Sequence, residues 1–548
     1  MALPTFDPVP GSLAIEARGE HFPDQAALSA ALPFAPRRGR TDAIRAALSA
    51  TRLWSATALL LVTLSILFRL YALGRLPGIN GDEAWYGVQA QHLAAGTAAW
   101  RTPSGNLPGP FQLGTLALLQ AVLPPSFPLL RVPSVLASLG AMALAFAIGR
   151  RFFDGRAALV LLLLTATLPV DIVYARFGWD PSWSVFADLG ASWFALAGNP
   201  WGCTLALLLA LAVHPTNLFA APFLLLCFAG AVRERDGAHV ALRQGLLLAG
   251  LMLAAVACLR ATSSDTHAAI RGGLVERIVD PSHLRDFALL YARLLSGNTS
   301  YAYIVGTGFG AAEAAIDAAT LIVIGGLALF SVQALRGRPA GRDAAILIGW
   351  AASLAAFYLI AGNQAIGPHF ERYALCLVAP SLLALATMLR LVLERRALPA
   401  AAILAALLLI GFGDRYFGGL MRSGGRSDTA FWTGAEEPKQ AAFARIAAEA
   451  ARHSGARIVA EDYWLYWPLA YLAAGRPLEV AQAIAPSTPP PPGGTYWVTF
   501  GGSAFDRALA DGRRARLRWT IAGTARPALL HIWWTQPGIR TTPAGTAP

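Results

Sequence analysis

The sequence predicts a polytopic α-helical membrane protein that ends in a small α/β domain, and three observations carry that prediction. Hydrophobic residues fill 55% of the 548 positions and charged residues only 14%, at a mean hydropathy of +0.50. Soluble domains carry roughly 25% charged residues. Apolar runs recur from residue 53 to residue 413, and arginines gather in alternate connections between them.

A crossing helix needs about 20 apolar residues, because in lipid every backbone N–H and C=O must be paired within the segment. Eleven runs are read as spans: 53–73, 132–149, 157–174, 183–198, 200–213, 216–232, 244–261, 313–335, 344–361, 374–392 and 397–413. The fifth is short, and its border with the sixth at His214-Pro215 is the least marked. One set of alternate connections holds Arg37, Arg38, Arg40, Arg45 and Arg52, then Arg150, Arg151 and Arg156, then Arg233, Arg235 and Arg243, then Arg336, Arg338 and Arg342, then Arg395 and Arg396. By the positive-inside rule these face the cytoplasm. Residues 1–52 are then a cytoplasmic tail, 53–413 the membrane domain, and 414–548 a domain on the outer side. The outer connections include 74–131 and the long loop 261–312.

The formal charge of +12 would suggest nucleic acid in a soluble protein. Here the arginines sit beside apolar runs, so anionic lipid headgroups are the expected partner and nucleic acid is not. Cys203, Cys227, Cys258 and Cys376 all fall in apolar runs, which argues against a disulfide framework. The first fifty residues are polar and proline-bearing, unlike a signal peptide, so 53–73 is read as an uncleaved anchor. Within 74–131, Phe111–Leu123 is too short to span and reads as an interfacial helix. Beyond Gly413 the pattern gives helices near 439–452, 465–474 and 504–513 and strands near 457–460 and 495–500. The prolines Pro489 to Pro492 mark a loop.

The first outer loop contains Gly81-Asp82-Glu83-Ala84-Trp85-Tyr86-Gly87. Two adjacent acids at a membrane surface have a plain explanation, since Asp82 suits a helix N-cap and acids favour a helix N-terminus by about 0.3–1 kcal/mol. The same loop, however, carries aromatic residues, the interfacial helix and Arg131 at the mouth of the next span.

With these features the chain resembles the membrane-embedded GT-C glycosyltransferases of the protein-mannosyltransferase and aminoarabinose-transferase type. The first outer loop in that family carries an Asp-Glu pair, an aromatic residue and a short helix, matched here by Asp82-Glu83-Ala84-Trp85-Tyr86. Further matches are Arg131-Val132-Pro133-Ser134, Arg150-Arg151-Phe152-Phe153 with Gly155-Arg156, Arg176 with Asp180, and Arg372-Tyr373. The resemblance covers roughly residues 50 to 415 and rests on order and topology together.

It implies a GT-C-like fold and sugar transfer from a polyprenyl-phosphate donor on the outer face of a bacterial inner membrane. The acceptor would be lipid A, another envelope glycan or protein, and the anomeric centre would invert. Such chemistry needs a carboxylate to take the acceptor's proton and cations to hold the departing phosphate. Asp82 is the expected base, with Glu83 orienting it or the acceptor. Arg372 is the first candidate for the phosphate because a guanidinium binds phosphate bidentately, followed by Arg131 and Arg176. An arginine at the outer end of a span runs against the positive-inside trend. Tyr86, Asp180, Asp188, His369 and Tyr373 are candidate substrate contacts. Several have a plainer reading: an interfacial anchor for Tyr373, as for Arg372, a solvated loop residue for His369, a helix cap for Asp180, and an ion pair with an arginine for Asp188. Asp188 lies within a span, where an ionised acid costs roughly 2.5–3.5 kcal/mol.

His214, Asp265 and His267 are scattered singles without metal-ligand spacing, so no metal site is read from them. The Asp82-Glu83 pair could still hold a divalent cation. Leu107-Pro108-Gly109-Pro110-Phe111 lacks the histidine that many relatives have there, and His214 stands where many have lysine. The alternative function is a transporter or flippase of lipid-linked sugars. Transporters usually show internal repeats, and none is seen in this sequence.

Overall fold

The computed structural model describes residues 38–99, 101–102, 107–262, 280–337, 341–361, 363–367, 370–425, 429–451, 456–483, 494–512 and 515–536. Two compact units follow each other, Met1–Leu53 and Trp54–Pro548. What is described of the first is the beginning of a helix that runs over Arg38–Leu70. Everything below concerns the second.

Among the described residues six helices are long and apolar enough to cross a membrane: Arg52–Leu70, Phe127–Phe152, Pro215–Asp236, Ala311–Leu335, Arg342–Ile360 and Glu371–Ser423. The last of these contains two apolar legs, Val378–Leu393 and Ala397–Phe412. Shorter apolar helices lie at Gly155–Thr167, Pro200–Val213 and Ala238–Ala254. Several of the expected spans are broken rather than continuous. The run 157–174 divides into Gly155–Thr167 and Pro169–Tyr174, because Pro169 has no N–H to donate and biases Leu168 away from helix. His214 and Pro215 divide the fifth and sixth runs in the same way, with a 3-10 turn over Pro215–Ala220. The expected long outer loop holds a helix at Pro281–Ser296, capped by Asp280. The interfacial helix is found at Pro110–Gln120.

The C-terminal region is an α/β unit with five strands: β1 Arg457–Ala460, β2 Glu479–Gln482, β3 Thr495–Phe500, β4 Arg516–Ile521 and β5 Leu530–Thr535, in the spatial order β2-β1-β3-β5-β4. The pairs β1/β2 and β1/β3 are parallel, and β3/β5 and β4/β5 are antiparallel. Side chains alternate across the sheet as a period of two requires. Ile458, Tyr496, Val498 and Ile532 face Phe443, Ile446, Leu465 and Leu469 on one side, while Val459, Trp497 and Trp533 meet Phe505 on the other. Every residue of β3 is buried, as befits a central strand covered on both faces. Only β1 and β3 were expected from sequence.

This unit packs onto the segment that follows the first span. Helix Tyr463–Ala473 lies against helix Gly81–Ala94. Tyr471 stacks on Phe127 at 6.3 Å and shares hydrogen bonds with Ser126 and Gln120. Arg75 donates to Ala435 O, and Ile79 N–H donates to Glu437. Where the two helices meet, a Cβ on Gly87 would stand 2.5 Å from Leu130 and 2.6 Å from Tyr471. Gly87→Val is therefore expected to push the two helices apart. Limited proteolysis of the protein in nanodiscs should release the C-terminal unit faster from the variant than from the parent.

At the other end, three of the arginine-bearing connections bond to one another. Arg342 donates to Phe152 O at 2.7 Å and pairs with Glu234 at 3.2 Å, while Arg390 pairs with Asp343.

Candidate active site

Helix Gly81–Ala94 begins with a capping box. Asn80 accepts from Glu83 N–H at 2.9 Å, and Glu83 accepts from Asn80 N–H at 3.2 Å. The cap is thus Asn80 and not Asp82, because Asn80-Gly81-Asp82-Glu83 places an amide and an acid three residues apart. Glu83 is fully buried and forks onto Arg131, which is also fully buried: Nε to Oε2 at 2.6 Å and Nη2 to Oε1 at 2.8 Å. It also accepts from Gly178 N–H at 3.0 Å.

Arg131 directs its other three N–H groups to the carbonyls of Leu73, Pro77 and Gly78. A guanidinium has five N–H groups, so none is left for a phosphate. Arg176 is committed at its two terminal nitrogens, while its buried Nε has no hydrogen-bond partner among the described residues. Its two terminal nitrogens donate to the carbonyls of Phe68, Arg69, Tyr71 and Leu76, and its guanidinium lies 4.9 Å from the Phe417 ring. These arginines hold the chain leaving the first span, in place of the phosphate contacts expected of them. The same holds for Glu83: both its oxygens are occupied, so it neither orients Asp82 nor shares a cation with it. Adjacent residues on a helix point about 100° apart.

Asp82 faces the other way. It is half-buried and accepts from the hydroxyl of Tyr463, in the C-terminal unit, at 2.8 Å. One turn on, Tyr86 donates its hydroxyl to Asp180. Asp180 also accepts Gly109 N–H at 2.5 Å. Its carboxyl does not cap the 3-10 turn Asp180–Trp183, whose first N–H groups have no side-chain partner; it is drawn instead to Tyr86 and Gly109. A Cβ on Gly109 would stand 2.5 Å from the Asp180 carboxyl carbon, so glycine is required for this approach. Burial pushes the Asp180 carboxyl up to about 7, against the two hydrogen bonds that favour its anion. Burial, then Asp180 and Asp82, push the Tyr86 hydroxyl well above its usual range, so it stays a donor.

The Asp180–Trp183 turn packs beside Glu371–Leu377, the segment that carries Arg372. Tyr174, Phe177 and Trp179 form an aromatic wall between the two. Phe177 stacks on Trp179 at 5.0 Å, Trp179 donates to Asn80 at 3.3 Å, and Tyr174 lies close to Glu371 and Arg372. Arg372 is half-buried, donates to the Tyr373 hydroxyl at 3.3 Å and lies 5.1 Å from that ring. Among the described residues it forms no ion pair. Tyr373 in turn meets the His214 ring at 5.6 Å. His369 lies outside the described residues. Asp188 is fully buried in helix Ser184–Leu196, and neither carboxyl oxygen has a hydrogen-bond partner. The arginine weighed as its partner is not found among the described residues. It is not brought into the Asp82 cluster.

Three residues that sequence reading passed over shape this region. Asn80 was open to discovery through its capping-box spacing. Gly109 and Tyr463 gave no local signal, since each acts across more than 70 positions of chain. A buried pair within the spans, Arg69 with Asp171 at 2.6 Å, was likewise passed over, although charges in apolar runs are a signal. Among the described residues no group of three or more His, Cys, Asp or Glu side chains is placed to hold a metal ion.

Two outcomes follow. Arg131→Ala strands Glu83 in a dry interior and is expected to cost about 3–5 kcal/mol of stability, read as a lowered unfolding midpoint in detergent. Asp180 holds its proton to about 7 in the folded chain, but only to near 3.8 when exposed. Between those values the folded state binds more protons, so its stability falls as pH rises from about 4 to about 7. Asp180→Asn should lack that slope in unfolding scans at pH 5 and pH 8.

No family model matches the chain, and no curated protein matches it by sequence. Among solved structures it is similar to ArnT from Cupriavidus metallidurans bound to undecaprenyl phosphate, at a TM-score of 0.48 and 14% identity over 90% of this chain and 99% of that one. The apo state of the same protein gives 0.40 and 16%, over 89% and 98%. The archaeal oligosaccharyltransferase AglB from Archaeoglobus fulgidus, in complex with an inhibitory peptide and a dolichol-phosphate, gives 0.41 and 13%, over 79% and 65%. These are similarities of chain course, at identities too low to carry residue roles from those proteins to this one.

Proposed function

We propose that the chain is a GT-C type membrane glycosyltransferase that moves a sugar from a polyprenyl-phosphate donor to an envelope acceptor on the outer face of the inner membrane. The observation that carries this reading is that the turn Asp180–Trp183 adjoins both neighbourhoods: Tyr86, one helical turn from Asp82, donates to Asp180, and the segment Glu371–Leu377 that carries Arg372 packs beside the same turn. Asp82 is a half-buried carboxylate held by Tyr463 of the C-terminal unit, and Arg372 forms no ion pair among the described residues.

In this reading Asp82 takes the proton of the acceptor hydroxyl or amine as that atom attacks the anomeric carbon. The bond from that carbon to the phosphate oxygen breaks, and the electron pair leaves with the polyprenyl phosphate. One displacement from the face opposite the leaving group inverts the centre. Arg372 holds the phosphate oxygens as negative charge gathers there. Tyr463 fixes the Asp82 carboxylate, and Tyr86 with Asp180 walls the same side. Tyr373, which stacks beside Arg372, is a positioning residue for it. Glu83 and Arg131 act through the backbone they hold.

The placement of this site outside the cytoplasm rests on the arginine pattern, and contacts in the structure support it. The C-terminal unit packs on the segment after the first span, so the chain between them crosses an even number of times. Ten spans after the first meet that parity. The arginine-bearing connections that bond to one another lie on the opposite side in the same topology.

The test uses membranes bearing the full chain, supplied with candidate polyprenyl-phosphate sugars, with modified lipid, glycan and protein as readouts. Asp82→Asn is expected to lower turnover by about 10²–10⁴-fold while insertion and unfolding midpoint stay unchanged. Arg372→Gln should weaken donor binding more than it slows turnover. Sugar transfer by Asp82→Asn at the parental rate would remove Asp82 as the base, and a parent that moved an unmodified donor across the bilayer without transferring sugar would make the chain a carrier.

A further inference from the structure

Glu371 opens the turn Glu371–Leu377, immediately before Arg372, and is only 1% exposed. Its Oε2 has no hydrogen-bond partner, and among the described residues Glu371 enters no ion pair. A buried carboxyl oxygen left without a donor is costly to a fold. Glu83 and Asp180, the other buried acids of this region, both have backbone N–H donors.

The groups beside Glu371 come from two distant parts of the chain. Ser300 is buried close to its carboxyl but outside hydrogen-bonding geometry, and the Ser300 hydroxyl is likewise without a partner among the described residues. Helix Pro281–Ser296, which packs against the turn Glu371–Leu377, ends at Gly297 with φ +81°. Asn298–Ser300 then forms a single turn and Tyr301–Val305 a π turn, a departure from α-helix that gathers at functional sites. Asn298 holds this stretch, donating to Asp317 at 2.6 Å and accepting from Arg415 at 2.6 Å. Tyr174, also buried, lies close to Glu371, Arg372, Tyr303 and Tyr373. From Tyr174 the aromatic wall leads toward the base: Tyr174 meets Phe177 at 5.9 Å, Phe177 stacks on Trp179, and Trp179 donates to Asn80, the cap of the helix that carries Asp82.

We infer that Glu371 and Ser300 bind a ring hydroxyl of the donor's sugar and so determine which sugar is transferred. The inference rests on the transferase reading, in which Arg372 holds the donor phosphate. The sugar of such a donor is joined directly to that phosphate, so a phosphate at Arg372 brings a sugar to the neighbouring residue. An ionised carboxylate only accepts, whereas a serine hydroxyl both gives and takes. One sugar hydroxyl meets both, donating to Glu371 and accepting from Ser300. A phosphate oxygen, which only accepts, would leave the ionised carboxyl unpaired. Sites of this kind select strongly, because a substrate that lacks the hydroxyl leaves their buried groups without partners.

Binding of undecaprenyl phosphate, bare or bearing glucose, galactose, mannose or arabinose, to the full chain in nanodiscs tests the inference. The parent should bind at least one sugar-bearing lipid more tightly than the bare one. Glu371→Gln should lose about tenfold more affinity for that lipid than for the bare one, which is near 1.4 kcal/mol. Ser300→Ala removes a single oxygen atom and covers the case in which the glutamine variant does not fold; it should lose affinity in the same sense. A purely structural role would weaken bare and sugar-bearing lipid alike, and that result overturns the inference. So does a parent that binds every sugar-bearing lipid as it binds the bare one. Variants that keep the parental preference also overturn it, leaving the two oxygens to buried water. These three results leave the transferase reading standing. Equal binding of the bare lipid by parent and Arg372→Gln is the separate result that overturns the phosphate assignment, and the inference falls with it.

Discussion

The buried pair between Glu83 and Arg131 is the contact on which the candidate site depends. Taking two charges out of water costs several kcal/mol per ion unless every lone pair and N–H finds a partner. Here each N–H of the guanidinium has an acceptor, and both glutamate oxygens are used. The partners come from the exit of the first span, the cap of helix Gly81–Ala94, the mouth of the next span and the turn at Gly178. A single pair therefore fixes four pieces of chain at once. The helix it anchors carries Asp82 one residue before Glu83, and the helical rotation between neighbours turns Asp82 outward toward Tyr463.

Arg176 extends the same logic. Together the two arginines take the carbonyls of residues 68, 69, 71, 73, 76, 77 and 78. That stretch is where the first span stops being helical, and the last carbonyls of a helix have no partner within it. In water they would be solvated. Beside lipid and packed aromatic rings they need fixed donors, and the negative end of a helix favours a cation there. Two arginines at the ends of spans thus have a cause in the pairing of backbone carbonyls. Arg372 differs from both because its N–H groups are not consumed by carbonyls among the described residues.

Much of this was legible in the sequence, and the part that was not has a physical pattern. Apolar runs and arginine spacing located the helices, because hydrocarbon imposes one rule on every spanning segment. The border at His214-Pro215 was marked, whereas the break at Leu168 fell inside a run read as one span, although Pro169 causes it. The strands β2 and β4 escaped because they form the two edges of the sheet, where alternation is weak: β4 is largely exposed and β2 only partly buried. The inner strand β5 is mostly buried and was passed over without that cause. Within the site, Asp82 stood out for its residue type, but its neighbour looked equal to it. Sequence shows that two acids are adjacent; it does not show that a helix turns them apart. Tyr463 and Gly109 contribute only because distant segments meet, which no local pattern records.

The separation of tasks within one short segment follows from that turn. An acid needed as a base must keep access to substrate, whereas an acid needed as an anchor must give up access altogether. One carboxylate cannot meet both demands, since full burial with a guanidinium holds its charge but removes it from any acceptor. Placing the two on consecutive helical positions resolves the conflict within a single turn. The anchor is rigid because it is saturated, and its half-buried neighbour inherits that rigidity through the helix backbone. The hydroxyl of Tyr463 then adds one donor from the C-terminal unit, and that contact ties the unit's docking to the geometry of the carboxylate. A rearrangement of the C-terminal unit would therefore reach Asp82 directly through Tyr463, and would also pull on Arg75 and Ile79 in the stretch that Arg131 holds.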